Sequence, residues 1–356
     1  MQIQNNEVIK ALKQQAKQLG TPLYGAFELT GRCNLNCKMC YVHVMNQAEA
    51  RKKELTTEQW ISIMDEAYRN GMLFALFTGG ECLLRPDFKE LYLHLYNQGV
   101  IMSVNTNGVL INEEMAQFFA QHRPEWIQIS LYGSSDEGYE AVTGVRSFSK
   151  VTQALELLEK YKITYRVAVT PSRQMLPDVM NIIRYLDDHR INYRVSDDLI
   201  PAREDVSRED DCMLTVEERL WIQKEKQRLH GAAVEPKAPE DVPKPGGDGK
   251  QTETGMPCNA GTVRFVMDWQ GKMHPCMSIP EITEDVMQVG FSTAWNNIRS
   301  KMKQVVRPAE CSGCVYEKHC PVCPVFRYDG LFSGHCKPEV CQYTARRCAE
   351  GLIQLP

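Results

Sequence analysis

The sequence predicts an α/β fold: a partial (β/α)6, TIM-like barrel followed by a small cysteine-rich domain. Short β-branched or aromatic runs alternate with helical patterns from about Leu23 to Leu199, the pattern of a parallel sheet with crossover helices. Six strand-helix units can be counted. That is fewer than a closed TIM barrel uses, so a curved, incomplete barrel is expected, with an open doubly wound sheet as the competing arrangement. Finally, 14 cysteines fall mainly into two groups, one directly after the first strand and one running from Cys258 to Cys348.

Residues 1–22 read as an N-terminal helical extension and residues 23–201 as the barrel. The strand candidates are YGAFEL, LFALFT, IMSVNT, IQISLY, TYRVAVT and INYRVSDD. Between the first two, Thr56 is an N-cap with Gln59 at the capping-box position, Trp60, Ile61, Met64 and Tyr68 form the apolar face, and Gly71 is the stop. The next helix begins near Asp87, buries Phe88, Leu91, Tyr92 and Leu95, and ends at Gly99. Similar spacing predicts helices near Glu113–His122, Ser149–Tyr161 and Val179–Arg190. Residues 202–257 are rich in Pro, Gly and charge, with one helix, and read as a linker. TVRFVMDWQGKMHPC reads as a hairpin turning near Asp268 to Gly271, and opens a domain over residues 258–356.

The chain has 356 residues, 43% hydrophobic and 24% charged, and a net charge of -4 from 41 basic and 45 acidic side chains. Nothing in that balance favours nucleic acid or an anionic membrane as a partner. No run approaches the roughly 20 apolar residues that cross a bilayer. The polar start MQIQNNEVIKALKQQ is not a signal peptide, so a cytoplasmic location is expected. Without export, clustered cysteines point to metal rather than to disulfides.

Cys33, Cys37 and Cys40 form Cys-x3-Cys-x2-Cys at the strand end where barrel and open-sheet enzymes place their chemistry. Closely spaced thiolates select zinc or iron-sulfur clusters. No fourth ligand completes a familiar zinc finger, although His43 lies three residues on. Three thiolates suit a [4Fe-4S] cluster with one iron open to a substrate.

This spacing, set in strand-helix alternation, resembles the radical S-adenosylmethionine (SAM) enzymes. The resemblance implies that the open iron chelates the amino and carboxylate groups of SAM. One electron then cleaves the sulfonium to a 5′-deoxyadenosyl radical, which abstracts a substrate hydrogen. The family's Gly-Gly-Glu after the second strand corresponds to Gly79, Gly80 and Glu81, with Cys82 in place of the usual Pro. By the same resemblance Asn105, Asn107, Ser130 and Arg146 are candidate cofactor contacts, and Tyr41 packs over the cluster or the adenine, with core packing as the alternative.

The tail has Cys258, Gly271 ahead of Cys276, then Cys311-x2-Cys314-x5-Cys320-x2-Cys323, and Cys341. It resembles the SPASM extension of radical SAM enzymes that modify peptides and proteins, which implies two auxiliary [4Fe-4S] clusters and three in all. Carried over, Cys258, Cys276 and Cys323 hold the first auxiliary cluster, and Cys311, Cys314, Cys320 and Cys341 the second. The family has three residues between the third and fourth cysteines of the run, whereas only Pro321 and Val322 stand here. The first auxiliary cluster lacks a ligand: its iron is open, or Cys336 or Cys348 closes it. The rival for the tail is a pair of zinc knuckles. Cys82 and Cys212 read as buried or free thiols.

In the last strand Asn192, Arg194, Ser196 and Asp198 share a face, lining a cavity or a solvated edge. His274 is read as a ligand or an ordinary hydrogen-bonding residue. Trp295 and Ile298 predict a helix packing on the cluster domain. The resemblance implies a maturase that crosslinks a ribosomally made peptide through a thioether or carbon-carbon bond. It also implies an electron donor such as flavodoxin or ferredoxin. The short segment before the first strand leads us to expect a separate leader-recognition protein or a leaderless substrate. The alternatives are oxidation of a sulfatase Ser or Cys to formylglycine, and a zinc-stabilised binding protein without catalysis.

Overall fold

The structure is a computed structural model describing residues 7–42, 47–196, 199–200, 212–231, 236–237, 242–246, 254–320 and 323–353. Expectations for His43, Asp198, Pro321 and Val322 lie outside the described residues. The chain forms two compact units, Met1–Met213 with Ala260–Arg299, and Leu214–Asn259 with Ser300–Pro356.

The first unit is built on strands β1 (Tyr24–Glu28), β2 (Phe74–Thr78), β3 (Ile101–Thr106), β4 (Trp126–Ser130), β5 (Tyr165–Val169), β6 (Tyr193–Val195), β7 (Arg264–Met267), β8 (Lys272–His274) and β9 (Glu284–Asp285). Their spatial order is β6-β5-β4-β3-β2-β1-β7-β8-β9. From β6 to β7 every neighbouring pair is parallel, and β8 and β9 close the far edge antiparallel. The order of the first six strands never reverses, so there is no switch point of the doubly wound kind and the partial barrel holds.

The helices are α1 (Glu7–Leu19), α2 (Gln47–Lys53), α3 (Thr57–Arg69), α4 (Phe88–Tyr96), α5 (Glu113–Gln121), α6 (Asp136–Thr143), α7 (Phe148–Lys160) and α8 (Val179–Asp188). Thr56 and Gln59 form the predicted capping box on α3. The buried stripe of α3 is Trp60, Ile63, Met64 and Ala67, while Tyr68 is exposed. The predicted face is thereby corrected: i, i+3, i+4, i+7 from Trp60 reaches Ala67, and Tyr68 lies one step past that stripe. In α4, Phe88, Leu91, Tyr92 and Leu95 are all buried. Helix α6 was not expected from the sequence; Ser135 caps it through the Gly138 N–H, and Gly144, at φ 71, ends it.

Strand alternation separates two faces. Phe27 meets Trp60 of α3 with ring centroids 6.0 Å apart, and Phe77 meets Phe88 of α4 at 6.0 Å. The opposite face is polar towards the carboxyl ends of the strands, with Glu28 opposite Thr78 and Asn105-Gln128-Arg166 in one row.

The hairpin at residues 264–274 turns where predicted: Asp268 Oδ1 accepts the Gln270 and Lys272 N–H groups, both at 2.9 Å. It belongs to the barrel sheet rather than to a domain beginning at residue 258, because β7 pairs with β1 over Tyr24–Phe27. The helix Phe291–Met302 likewise departs from expectation. Its Trp295 donates to Gly20 O at 2.7 Å and packs on Phe265, so it braces the barrel instead of the cluster domain.

In the second unit the helix Val216–Leu229, from the segment read as linker, packs Leu220 against Tyr343 and Leu352. Gln223 joins Tyr343 Oη at 2.7 Å and Arg347 Nε at 2.9 Å on the helix Pro338–Ala349. The division at residues 201 and 258 is thus replaced by one in which 214–229 is part of a packed body. Among the described residues no helix is long and apolar enough to cross a membrane.

Candidate active site

Cys33, Cys37 and Cys40 follow β1 and line one small, solvent-open concavity, with Gly80 and Gln47 also on its wall. Three supports hold this loop. The Gly80 and Glu81 N–H groups donate to Thr30 O and Arg32 O, both at 2.8 Å. A Cβ on Gly79, whose φ is +126°, would sit 2.4 Å from Thr30 O, and one on Gly80 would sit 2.3 Å from Arg32 O. Glycine is therefore needed for the backbones to approach. The last turn of α6 is the second support: Asn36 N–H donates to Thr143 O at 2.8 Å and Lys38 N–H to Val142 O at 3.1 Å.

The third support is a buried ionic network that sequence reading missed. Arg32 grips Glu54 at 2.9 and 3.0 Å, and the Thr30 hydroxyl donates to the same carboxylate. Arg85 donates to Leu29 O at 3.1 Å and Leu55 O at 3.2 Å while paired with Asp87 at 2.6 Å. These partners are scattered between residues 30 and 87, and only the fold gathers them.

Glu81 is 1% exposed. Its Oε1 accepts Leu83 N–H at 3.0 Å and the Thr106 hydroxyl at 2.8 Å, and its Oε2 accepts Asn107 N–H at 2.8 Å. Burial pushes its pKa up, against those three donors. The part of Gly79-Gly80-Glu81 that lines the concavity is Gly80. Asn107 carries the tie onward, its amide donating to Asn34 Oδ1 at 2.7 Å and to Cys33 Sγ at 3.7 Å. Asn105 Oδ1 is buried with no hydrogen-bond partner. Tyr41 Oη lies 3.3 Å from Glu28 Oε1 and 3.3 Å from Met277 Sδ. Tyr132, which the sequence did not single out, hydrogen-bonds Cys37 and Ser130. Arg166 bonds Gln128 at 3.0 Å and stacks 4.0 Å from the Trp126 ring, giving the inner face a fixed cation.

Arg146 stands apart from this group. It is half-exposed and paired with Glu137 and Glu140 on α6, so the structure gives it a surface ion-pair role where a cofactor contact was expected. Asn192 and Arg194 are exposed, and β6 is an edge strand, in line with the solvated reading. Cys82 and Cys212 are buried thiols.

Burial pushes the Cys33 thiol up to about 12, and burial with the neighbouring Cys40 and Cys33 sulfurs holds Cys37 well above its ordinary value. A cation at these sulfurs reverses that preference and releases protons on binding. Among the described residues no three His, Cys, Asp or Glu side chains converge on a single-ion site. The loop thiols border a shared space instead, a geometry suited to a multi-atom cluster.

Of the tail cysteines, Cys276 lies in the first unit and the others in the second. Cys341 Sγ is 3.7 Å from Cys336 Sγ. A hydrogen bond from Cys336, followed by the charge of Arg327, pulls the Cys311 thiol down to about 7 against burial. Cys336 thus sits with Cys311 and Cys341 rather than apart from them. Cys348 is fully buried beside Tyr316, which it hydrogen-bonds.

Residues 27–186 match the family model described as the radical SAM superfamily. The antilisterial bacteriocin subtilosin biosynthesis protein AlbA of Bacillus subtilis (strain 168) is 23% identical over 94% of this chain and 74% of its own length. The mycofactocin maturase MftC of Mycobacterium ulcerans (strain Agy99) is 37% identical, over 42% of this chain and 40% of its own. The solved structure of native anSMEcpe with bound AdoMet superposes with a TM-score of 0.67 at 19% identity, covering 93% of this chain and 98% of that one.

Proposed function

We propose, from the match of residues 27–186 to the radical SAM superfamily model, that this chain is a radical SAM enzyme that modifies a peptide, crosslinking a side chain of a ribosomally made precursor through a thioether or carbon-carbon bond. One observation carries the chemistry: three thiols border a single concavity whose wall is the backbone of Gly80. Bound there, a [4Fe-4S] cluster with SAM on its open iron supplies one-electron cleavage of the sulfonium and hydrogen abstraction.

In this reading Cys33, Cys37 and Cys40 would hold the cluster, and Gly80, on the same wall, would help hold SAM. Asn107 orients Cys33, and Tyr132 orients Cys37. The unpartnered Asn105 oxygen offers an acceptor to the cofactor. Gln128 and Arg166 hold the substrate side. In the tail, Cys311, Cys314, Cys320 and Cys341 hold one auxiliary cluster, while Cys258, Cys276 and Cys323 are assigned to the other by sequence pattern. A flavodoxin or ferredoxin delivers the electron. The peptide reading is supported by the tail's cysteine spacing and by the biosynthetic roles named for AlbA and the mycofactocin maturase.

The test is anaerobic reconstitution followed by assay of reductant-dependent 5′-deoxyadenosine release. Release is expected from the wild type and none from Cys33→Ala, Cys37→Ala or Cys40→Ala. Co-expression with short open reading frames beside the gene should give a peptide lighter by two hydrogens, with no borohydride-reducible aldehyde. Zinc in place of iron, or iron without nucleoside release, rejects the proposal.

A further inference from the structure

Arg327 is 6% exposed, a guanidinium taken almost wholly out of water. Such a charge is expected to have an anionic partner, since an unpaired buried charge carries a large desolvation cost. No carboxylate lies within ion-pair distance of it among the described residues. The nearby acids are already engaged, Glu317 with Arg307 at 3.1 Å and Glu310 with His335 at 2.9 Å. Arg327 Nε is buried with no hydrogen-bond acceptor. The guanidinium lies 5.3 Å from the Tyr328 ring centroid.

Cysteines are among the groups within reach of this charge. Arg327 acts electrostatically on Cys311 and Cys320, and its own carbonyl accepts the Cys336 thiol at 3.3 Å. Backbone bonds fix the segment, with Lys337 N–H on Arg327 O at 2.9 Å and Asp329 N–H on His335 O at 2.9 Å. A fixed cation with a vacant donor therefore sits beside thiols whose metal complex is anionic.

We infer that Arg327 is the built-in counter-cation of the auxiliary cluster held by Cys311, Cys314, Cys320 and Cys341, and that it sets the reduction potential of that cluster upward. The inference rests on the auxiliary-cluster reading above. Reduction adds negative charge to the cluster, so a neighbouring fixed positive charge stabilises the reduced form. Arg327 is a positioning residue here, acting on electron affinity and not on substrate.

The experiment is a redox titration of the reconstituted holoprotein, following by EPR the signal that disappears in Cys311→Ser. Arg327→Gln should lower the ratio of reduced to oxidised cluster at a fixed poise about tenfold, a shift of about 59 mV to more negative potential for one electron. Arg327→Lys keeps the charge and should stay close to wild type. If Arg327→Gln loses the cluster's iron while Arg327→Lys retains it, the charge requirement stands. Equal loss in both variants, or an unchanged midpoint in Arg327→Gln with full iron content, overturns the inference while leaving the auxiliary cluster in place. A tail that binds zinc and shows no Cys311-dependent signal instead removes the auxiliary-cluster reading and the inference with it.

Discussion

Asn107 joins the Glu81 carboxylate to the Cys33 sulfur: its backbone N–H reaches Glu81 Oε2 at 2.8 Å, and its amide nitrogen lies 3.7 Å from Cys33 Sγ. The carboxyl ends of β2 and β3 are thereby coupled to the cysteine loop that follows β1. The amide also holds Asn34 at 2.7 Å, so one side chain steadies two residues of that loop.

Asn107→Ala should therefore separate folding from chemistry. It removes side-chain hydrogen bonds only, at a cost of about 1 kcal/mol, and should retain iron. We expect 5′-deoxyadenosine release to fall about tenfold, in keeping with the sensitivity of reaction geometry to small misplacements. Wild-type release from this variant would remove Asn107 from the positioning role.

The glycine pair is stricter. Gly79→Ala places a methyl 2.4 Å from Thr30 O at a φ of +126°, and Gly80→Ala presses on Arg32 O. Each should lower stability by about 1 to 3 kcal/mol and reduce iron uptake. Denaturation midpoints and iron counts on the same samples check both parts.

Asp87 gives a pH dependence. Burial raises its pKa, but the hydrogen bonds from Arg85 and Thr57 outweigh burial and hold the carboxyl below its ordinary value. A depressed folded pKa contributes stability that is complete above the unfolded value of about 3.9, and that is lost as pH falls through the folded pKa. Asp87→Asn should cost about 2 to 3 kcal/mol at pH 7. The gap between urea melts of the two proteins should narrow as pH falls below about 3.9; a gap that stays constant on acidification would show that the charge is not the cause.

Thr56→Ala is a control. It breaks the capping box of α3 at a cost of about 1 kcal/mol and touches no group on the concavity. A lowered melting temperature with unchanged 5′-deoxyadenosine release is the expected result.

The strands were legible in the sequence because β-branched runs such as IMSVNT and YRVAV stop at polar or glycine residues. Cys33, Cys37, Cys40 and the Gly79-Gly80-Glu81 turn were legible because they are contiguous and chemically unusual. Arg32, Glu54, Arg85 and Asp87 were not, since nothing in their spacing announces that β1, α2 and the turn after β2 meet. Tyr132 was hidden for the same reason, its partner Cys37 being remote in the chain. Arg146 misled because an arginine at a plausible distance is equally suited to the acidic residues Glu137 and Glu140, nine and six residues back. The hairpin at residues 264–274 was read correctly as local structure. Its parallel pairing with β1 is a long-range event that no local pattern encodes.

The carbonyls of Val142 and Thr143 accept the loop N–H groups of Lys38 and Asn36, and Arg32 depends on Glu54. During translation the cysteine segment emerges well before the helix that completes its support. The full set of supports for the cysteine loop can therefore form only once synthesis has passed Thr143, which sets a temporal order between elongation of the chain and completion of that loop.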